Sequence, residues 1–320
     1  MPGRYGMGEA TRVFWVNRRL ECLSEPDKPA NEDTLFLARL SLAPGAGSPL
    51  RHIARFYDSI RSWVLQCRAP GLAVAAVDSQ GLQARAYLRA KPWGINTAIV
   101  GRHANAEIRL PSDPGISLRH LALIVHPASS PEEVRFRILD LRTAGGFTDA
   151  RGHGRRAIEA ERPYAAVCGD YALVFAPVTD PPSISTSDPE RFEGMFDFDV
   201  LTNPETLEGL ALGAKEEPFG ELIVSSREGT GAVAVSRRAV GSGILLGRSD
   251  LCDGDGLLLD HHISRVHVLI VEVAGKLYAI DTASKNGVFG KTEPERTLTL
   301  DSGTTLSLAG FATVEWRFFH

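Results

Sequence analysis

The chain is poor in the features that mark many functions. Its 320 residues include only four cysteines, Cys22, Cys67, Cys168 and Cys252, with no CxxC pair. That spacing argues against a zinc site or a redox motif and suits buried, reduced thiols. No apolar run reaches the roughly 18 residues a membrane-spanning helix needs, and no charged-then-apolar pattern opens the chain, so a cytoplasmic protein is expected. A large excess of one charge is also missing. The net charge of −4 gives no global attraction to nucleic acid or anionic membranes, so any anion site must be local.

The marks of catalysis are absent as well. No Ser-His-Asp order, paired catalytic carboxylates or metal cluster emerges, so neither an enzyme, a cofactor nor a metal is expected. The segment from Gly241 to Gly247 has one residue too many for a GxGxxG loop and leads into a strand. Asp253-Gly-Asp255-Gly lacks the closing glutamate of a calcium loop and reads as a turn. His261-His262 reads as a solvated pair.

What is present is a globular composition, 43% hydrophobic and 23% charged, and an internal repeat. Three small polar clusters stand out: Gly247-Arg248, Ser264-Arg265-Val266-His267, and Asp281-Thr-Ala-Ser284-Lys285-Asn286-Gly287. Short β-branched and aromatic runs separate them, bounded by Gly and Asp as in all-β domains. Ahead of them, Gly220–Arg227, Ala232–Arg238 and Gly243–Arg248 read as three strands.

The same plan lies upstream in Gly71–Asp78, Gln83–Arg89 and Thr97–Arg102, followed by Ser117-Leu-Arg-His120 and Asp140-Leu-Arg-Thr143-Ala144-Gly145-Gly146. Arg102 answers Arg248, Ser117 answers Ser264, His120 answers His267, Asp140 answers Asp281, and Thr143 answers Ser284. The tails match if Val167–Phe175 is set against Asp301–Leu308. The first copy carries six extra residues between its His and its Asp, with Pro127–Glu132 as the loop insertion.

The expected fold is therefore mainly β: two sandwiches in tandem, residues 71–179 and 218–320, after a small α+β extension over 1–70. Between the copies, residues 180–217 hold ten acidic and two basic residues with several prolines, the composition of a linker. In the extension, Ile53, Phe56, Tyr57, Ile60, Trp63 and Val64 fall at helical spacing after Ser48-Pro49. Arg12–Val16 and Thr34–Leu42 read as strands. This extension is expected to pack on the first sandwich, and the final strand, Thr313–Phe319, leaves no room for a C-terminal effector domain.

The order and spacing of the three clusters resemble the forkhead-associated (FHA) domain, a β-sandwich that binds phosphothreonine in partner proteins. The chemistry suits that ligand, since phosphothreonine carries about −1.5 to −2 charges and three strong acceptors, which an arginine fork meets in parallel. The resemblance implies that Arg248 and Ser264 contact phosphate and that Arg265, Ser284 and Lys285 add contacts. It implies that Asn286 pairs with peptide backbone, while Gly247, His267 and Gly287 serve structure. In the first copy Arg102, Ser117 and Thr143 remain, with Arg119 and Arg142 near the phosphate-facing positions. Leu118, Ala144 and Gly145 replace Arg265, Lys285 and Asn286. That copy reads either as a weakened site or as a structural, protein-binding module.

The resemblance thus implies a phosphothreonine-dependent adaptor in Ser/Thr kinase signalling, with a kinase or its substrate as partner. Self-association is a further expectation, through a phosphorylated Thr186 or Thr202 captured by the second sandwich. The alternative is a scaffold using both sandwiches as phosphate-independent or oligomerising surfaces.

Overall fold

A computed structural model describes residues 12–15, 48–128, 130, 133–179, 218–253 and 256–319. The expected strand at 34–42 and the linker 180–217, with Thr186 and Thr202, lie outside these. The described chain is mainly β. It divides into two compact units, one of residues 19–210 and one of residues 1–18 with 211–320.

In chain order the elements are β1 (Arg12–Trp15), α1 (Arg51–Arg55), α2 (Tyr57–Gln66), β2 (Gly71–Asp78), β3 (Gly81–Arg89), β4 (Asn96–Gly101) and β5 (Ile108–Arg109). Then come β6 (Leu121–Val125), β7 (Phe136–Asp140), β8 (Phe147–Asp149), β9 (Gly154–Arg155), β10 (Ala157–Ala160), β11 (Tyr164–Cys168) and β12 (Tyr171–Val178). The remainder are β13 (Gly220–Ser226), β14 (Gly229–Val235), α3 (Arg237–Ser242), β15 (Ile244–Leu246), β16 (Val268–Val273), β17 (Lys276–Asp281), β18 (Val288–Phe289), β19 (Thr297–Thr299), β20 (Thr305–Leu308) and β21 (Ala312–Phe318).

Strand order exposes the repeat. In the unit of residues 19–210 the sheets run β3-β2-β12-β11-β8-β9 and β10-β7-β6-β4-β5. In the other unit they run β1-β14-β13-β21-β20-β18 and β19-β17-β16-β15. Apart from β5 and β9 in one and β1 in the other, the orders superimpose strand for strand. The residues of β2 alternate as a two-faced strand requires. Leu72, Val74 and Ala76 enter the core between the sheets with Phe136 and Phe175. Trp316 occupies the corresponding core of the other unit with Leu222, Val233 and Ile270. Among the described cysteines, Cys67, Cys168 and Cys252 are free thiols, and burial pushes that of Cys168 up to about 12.

Four readings change. The helical stripe spans α1 and α2, interrupted at Phe56. Ile53, Tyr57, Ile60 and Val64 pack on the outer face of β2 and β12, where Ala73, Ala75 and Ala176 leave room for a helix. β1, by contrast, pairs in parallel with β14, in the unit of the second sandwich. The strand read over Ala232–Arg238 ends at Val235, because the Ser236 hydroxyl accepts the Ala239 N–H at 3.1 Å and caps α3. Finally, the matched tails are out of step. The β11–β12 turn at Gly169 is answered by the β20–β21 turn at Ala309 and Gly310, since β12 pairs with β2 as β21 pairs with β13. Leu300–Thr304 instead answers Glu161–Pro163. The extra residues of the first copy do lie between β6 and β7, where the second copy has a tight turn at Ala274-Gly275.

Candidate functional site

At one end of the second sandwich, the loop between β15 and β16 and the loop after β17 are tied together around His267. This imidazole is fully buried. Its Nδ1 accepts the Ser264 N–H at 3.0 Å and its Nε2 donates to the Gly287 carbonyl at 2.9 Å. The same ring therefore spans two loops and sets its own tautomer. The Asp281 carboxylate accepts the Ser284 N–H at 2.8 Å, and the Ser284 Oγ accepts the Gly287 N–H at 2.9 Å. Arg296 donates to the Asp281 carbonyl at 2.7 Å. Ser284, expected among the ligand-binding residues, is thus buried and spends its hydroxyl on the turn.

Ser264 joins the remaining groups. Its carbonyl accepts the Arg248 N–H at 3.2 Å and its Oγ accepts the Lys285 N–H at 3.1 Å. Arg248 donates from Nε to the Ile263 carbonyl at 3.0 Å, which anchors the guanidinium by one edge. Asn286 donates to the His262 carbonyl at 2.8 Å, which leaves its Oδ1 and second N–H for another partner. Arg248, Arg265 and Lys285 are all exposed. Among the described residues no carboxylate pairs with any of the three. The ring of hydrogen bonds thus carries at its rim three cations that pair with no described carboxylate, an arrangement that can hold an anion.

Gly247 shows why the Gly-Arg pair recurs. A Cβ there would lie 2.3 Å from the Arg265 carbonyl oxygen, and at Gly101 one would lie 2.3 Å from that of Leu118. Each strand end presses directly on the loop carrying the serine. The Asn-Gly turn has a different need, since Gly287 takes φ of 81°, a region that suits glycine.

The first sandwich repeats this ring. Arg102 donates from Nε to the Ile116 carbonyl and from its backbone N–H to Ser117 at 3.0 Å. His120 accepts the Ser117 N–H at 3.0 Å and bonds the Gly146 carbonyl at 2.7 Å. Thr143 accepts the Gly146 N–H at 3.1 Å, as Ser284 does for Gly287. Arg142 and Ala283 even share a left-handed φ, 57° and 59°. What differs is the rim. Leu118, Ala144 and Gly145 supply neither charge nor amide, and both Arg119 and Arg142 have partners of their own.

Sequence reasoning missed two supports. Arg296 and Arg156 each brace the aspartate that starts the last cluster, Arg156 through a 2.6 Å ion pair with the Asp140 carboxylate. Both arginines lie outside the three clusters in sequence, so no motif spacing reveals them. His262, read as one of a solvated pair, instead holds Asn286 through its carbonyl while its ring lies flat on Phe311 at 3.9 Å.

Two sheets with their working groups on end loops, a buried histidine beneath and an arginine, a serine and an Asn-Gly turn above, define a β-sandwich recognition module. The FHA domain family model matches residues 244–309, and the second sandwich is an FHA domain. Solved structures match about a third of the chain. The chain is similar to the first FHA domain of Mycobacterium tuberculosis Rv1747, with 19% identity, TM-score 0.27, and coverage of 32% of this chain and 100% of that one. It is also similar to the FHA domain of Chlamydia trachomatis CT664, with 20% identity, TM-score 0.27, and coverage of 33% and 95%. Among curated proteins no significant match is found.

Proposed function

We propose that the second sandwich reads phosphothreonine in a partner protein and that the chain acts as a non-catalytic adaptor in cytoplasmic Ser/Thr kinase signalling. The observation that carries this reading is the rim of Arg248, Arg265 and Lys285, exposed and unpaired with any described carboxylate. Arg248 would meet two phosphate oxygens with its free guanidinium edge, the Ser264 hydroxyl would donate to a third, and Asn286 would hold the peptide backbone beside it. The FHA match over 244–309 supports the same ligand class. Under this reading the functional modules are residues 71–179 and 218–320, with 1–70 and 180–217 as extension and linker. A kinase or kinase substrate bearing the phosphothreonine is the partner.

Fluorescence anisotropy with a matched pair of phosphorylated and unphosphorylated threonine peptides tests it. Binding of the phosphorylated peptide alone, lost in Arg248→Ala, is expected. Equal affinity for both peptides would sink the proposal.

A second reading applies to the first sandwich. Its rim of Leu118, Ala144 and Gly145 favours a phosphate-independent scaffold surface on the same frame. Retention of its partners after Arg102→Ala together with Ser117→Ala is the expected outcome, measured by co-purification with the full chain.

A further inference from the structure

We propose that Asp260, His261 and His262 form a binding site for a divalent transition ion of the Zn²⁺ class, in the loop that leads to Ser264. One carboxylate oxygen and two imidazole nitrogens lie within 4.8 Å of one another here. The Asp260 Oδ1 is 2.8 Å from the His262 Nδ1 and 3.7 Å from the His261 Nδ1. A tetrahedral ion with bonds of about 2.0–2.1 Å separates its ligand atoms by roughly 3.3 Å, which falls between those two spacings. Small rotations of two side chains therefore close the set around an ion.

The ligands are also held in place. The Asp260 Oδ1 accepts the His262 N–H at 2.8 Å, and the Asp260 carbonyl accepts the Ile263 N–H at 2.9 Å, so the loop is folded around its own carboxylate. The His262 ring is clamped flat against Phe311, and Arg227 sits 5.2 Å from the centre of the Phe311 ring. His261 projects into solvent with 82% of its side chain exposed, yet stacks on His262 at 3.8 Å.

The donor set selects the ion. Two imidazoles with one carboxylate suit Zn²⁺, Ni²⁺ or Cu²⁺, whereas Ca²⁺ and Mg²⁺ ask for oxygens throughout. Three protein ligands leave a fourth position to water or to an anion. The loop has a second connection, since the carbonyls of His262 and Ile263 are the acceptors for Asn286 and Arg248. An ion bound here would fix the two carbonyls that aim those side chains.

The test is Zn²⁺ titration of the full chain by calorimetry, in the absence of any peptide, so that its failure is distinct from failure of the phosphothreonine reading. One equivalent is expected in the wild type. In His261→Ala the affinity should fall at least as far as the roughly 10–100-fold that loss of an outer-shell partner costs. His153→Ala, which alters a separate His–Asp pair with a 3.4 Å spacing, should leave the titration unchanged. Because His261 is so exposed, its variant should melt like the wild type without Zn²⁺. Equal Zn²⁺ affinity in the wild type and His261→Ala, or no uptake by the wild type, would overturn the site.

Discussion

Ser264 and Ser284 show how the same side chain serves opposite ends at the residue scale. Both are buried, the first with its Oγ accepting the Lys285 N–H from the neighbouring loop and the second with its Oγ accepting the Gly287 N–H inside its own turn. Their variants should therefore separate. Ser284→Ala strands a buried N–H and should cost about 1–3 kcal/mol of stability in denaturant unfolding, the penalty for an unsatisfied buried group. Arg248→Ala should leave stability within about 0.5 kcal/mol, as surface changes do. It should remove charge-assisted bonds of roughly 1.5–3 kcal/mol and weaken phosphopeptide binding by about ten- to a hundredfold or more in anisotropy. The ligand types were readable from sequence because Gly-Arg, Ser-x-x-His and Asn-Gly are short, local patterns. That Ser264 ties two loops while Ser284 closes its own turn was not readable, since nothing in the spacing tells the two hydroxyls apart.

At the scale of elements, the strand ends and loops are locked by contacts too close for any added atom. Gly247→Ala would set a methyl group 2.3 Å from the Arg265 carbonyl oxygen. The strand must withdraw from the serine loop, with a loss of about 1–3 kcal/mol or more in thermal unfolding and a displaced Ser264. The first sandwich offers the converse experiment. A Cβ at Gly145 meets nothing within 4 Å, and its φ is not in the left-handed region. The triple change Leu118→Arg, Ala144→Lys and Gly145→Asn should therefore fold and should raise phosphopeptide affinity at least about tenfold over the natural first sandwich. Strands such as β2 were legible from end to end because their β-branched and apolar residues run between Gly71 and Asp78. The end of β14 was not, since Ser236 caps a helix only if the chain following it turns.

The whole molecule carries a pH dependence that no motif announces. His126 is buried in the first unit among Glu159, Glu161, Arg135 and Arg137, with its Nε2 3.9 Å from Glu159. Burial pushes its imidazole down to about 4, the neighbouring arginines adding to the effect and Glu159 and Glu161 opposing it. The unfolded chain thus takes up this proton near the ordinary value of 6.5 while the folded chain resists it. Stability is full above that value and declines as pH falls toward about 4, by on the order of 3 kcal/mol from this group. Urea unfolding across that window should show the decline, and His126→Gln should flatten it.

The sequence by itself determined the mainly β class, the existence of two copies and the residue types at the second rim, because each is written in periodicity or in a motif a few residues long. Only the tertiary structure decided which loops the two serine hydroxyls tie, that Arg156 and Arg296 brace the aspartates, that β1 joins the second unit's sheet, and that the copies correspond through β12 and β21. These depend on which distant strands become neighbours. Strand pairing is a long-range choice, made by the packing of both sheets against one core, and local spacing does not encode it.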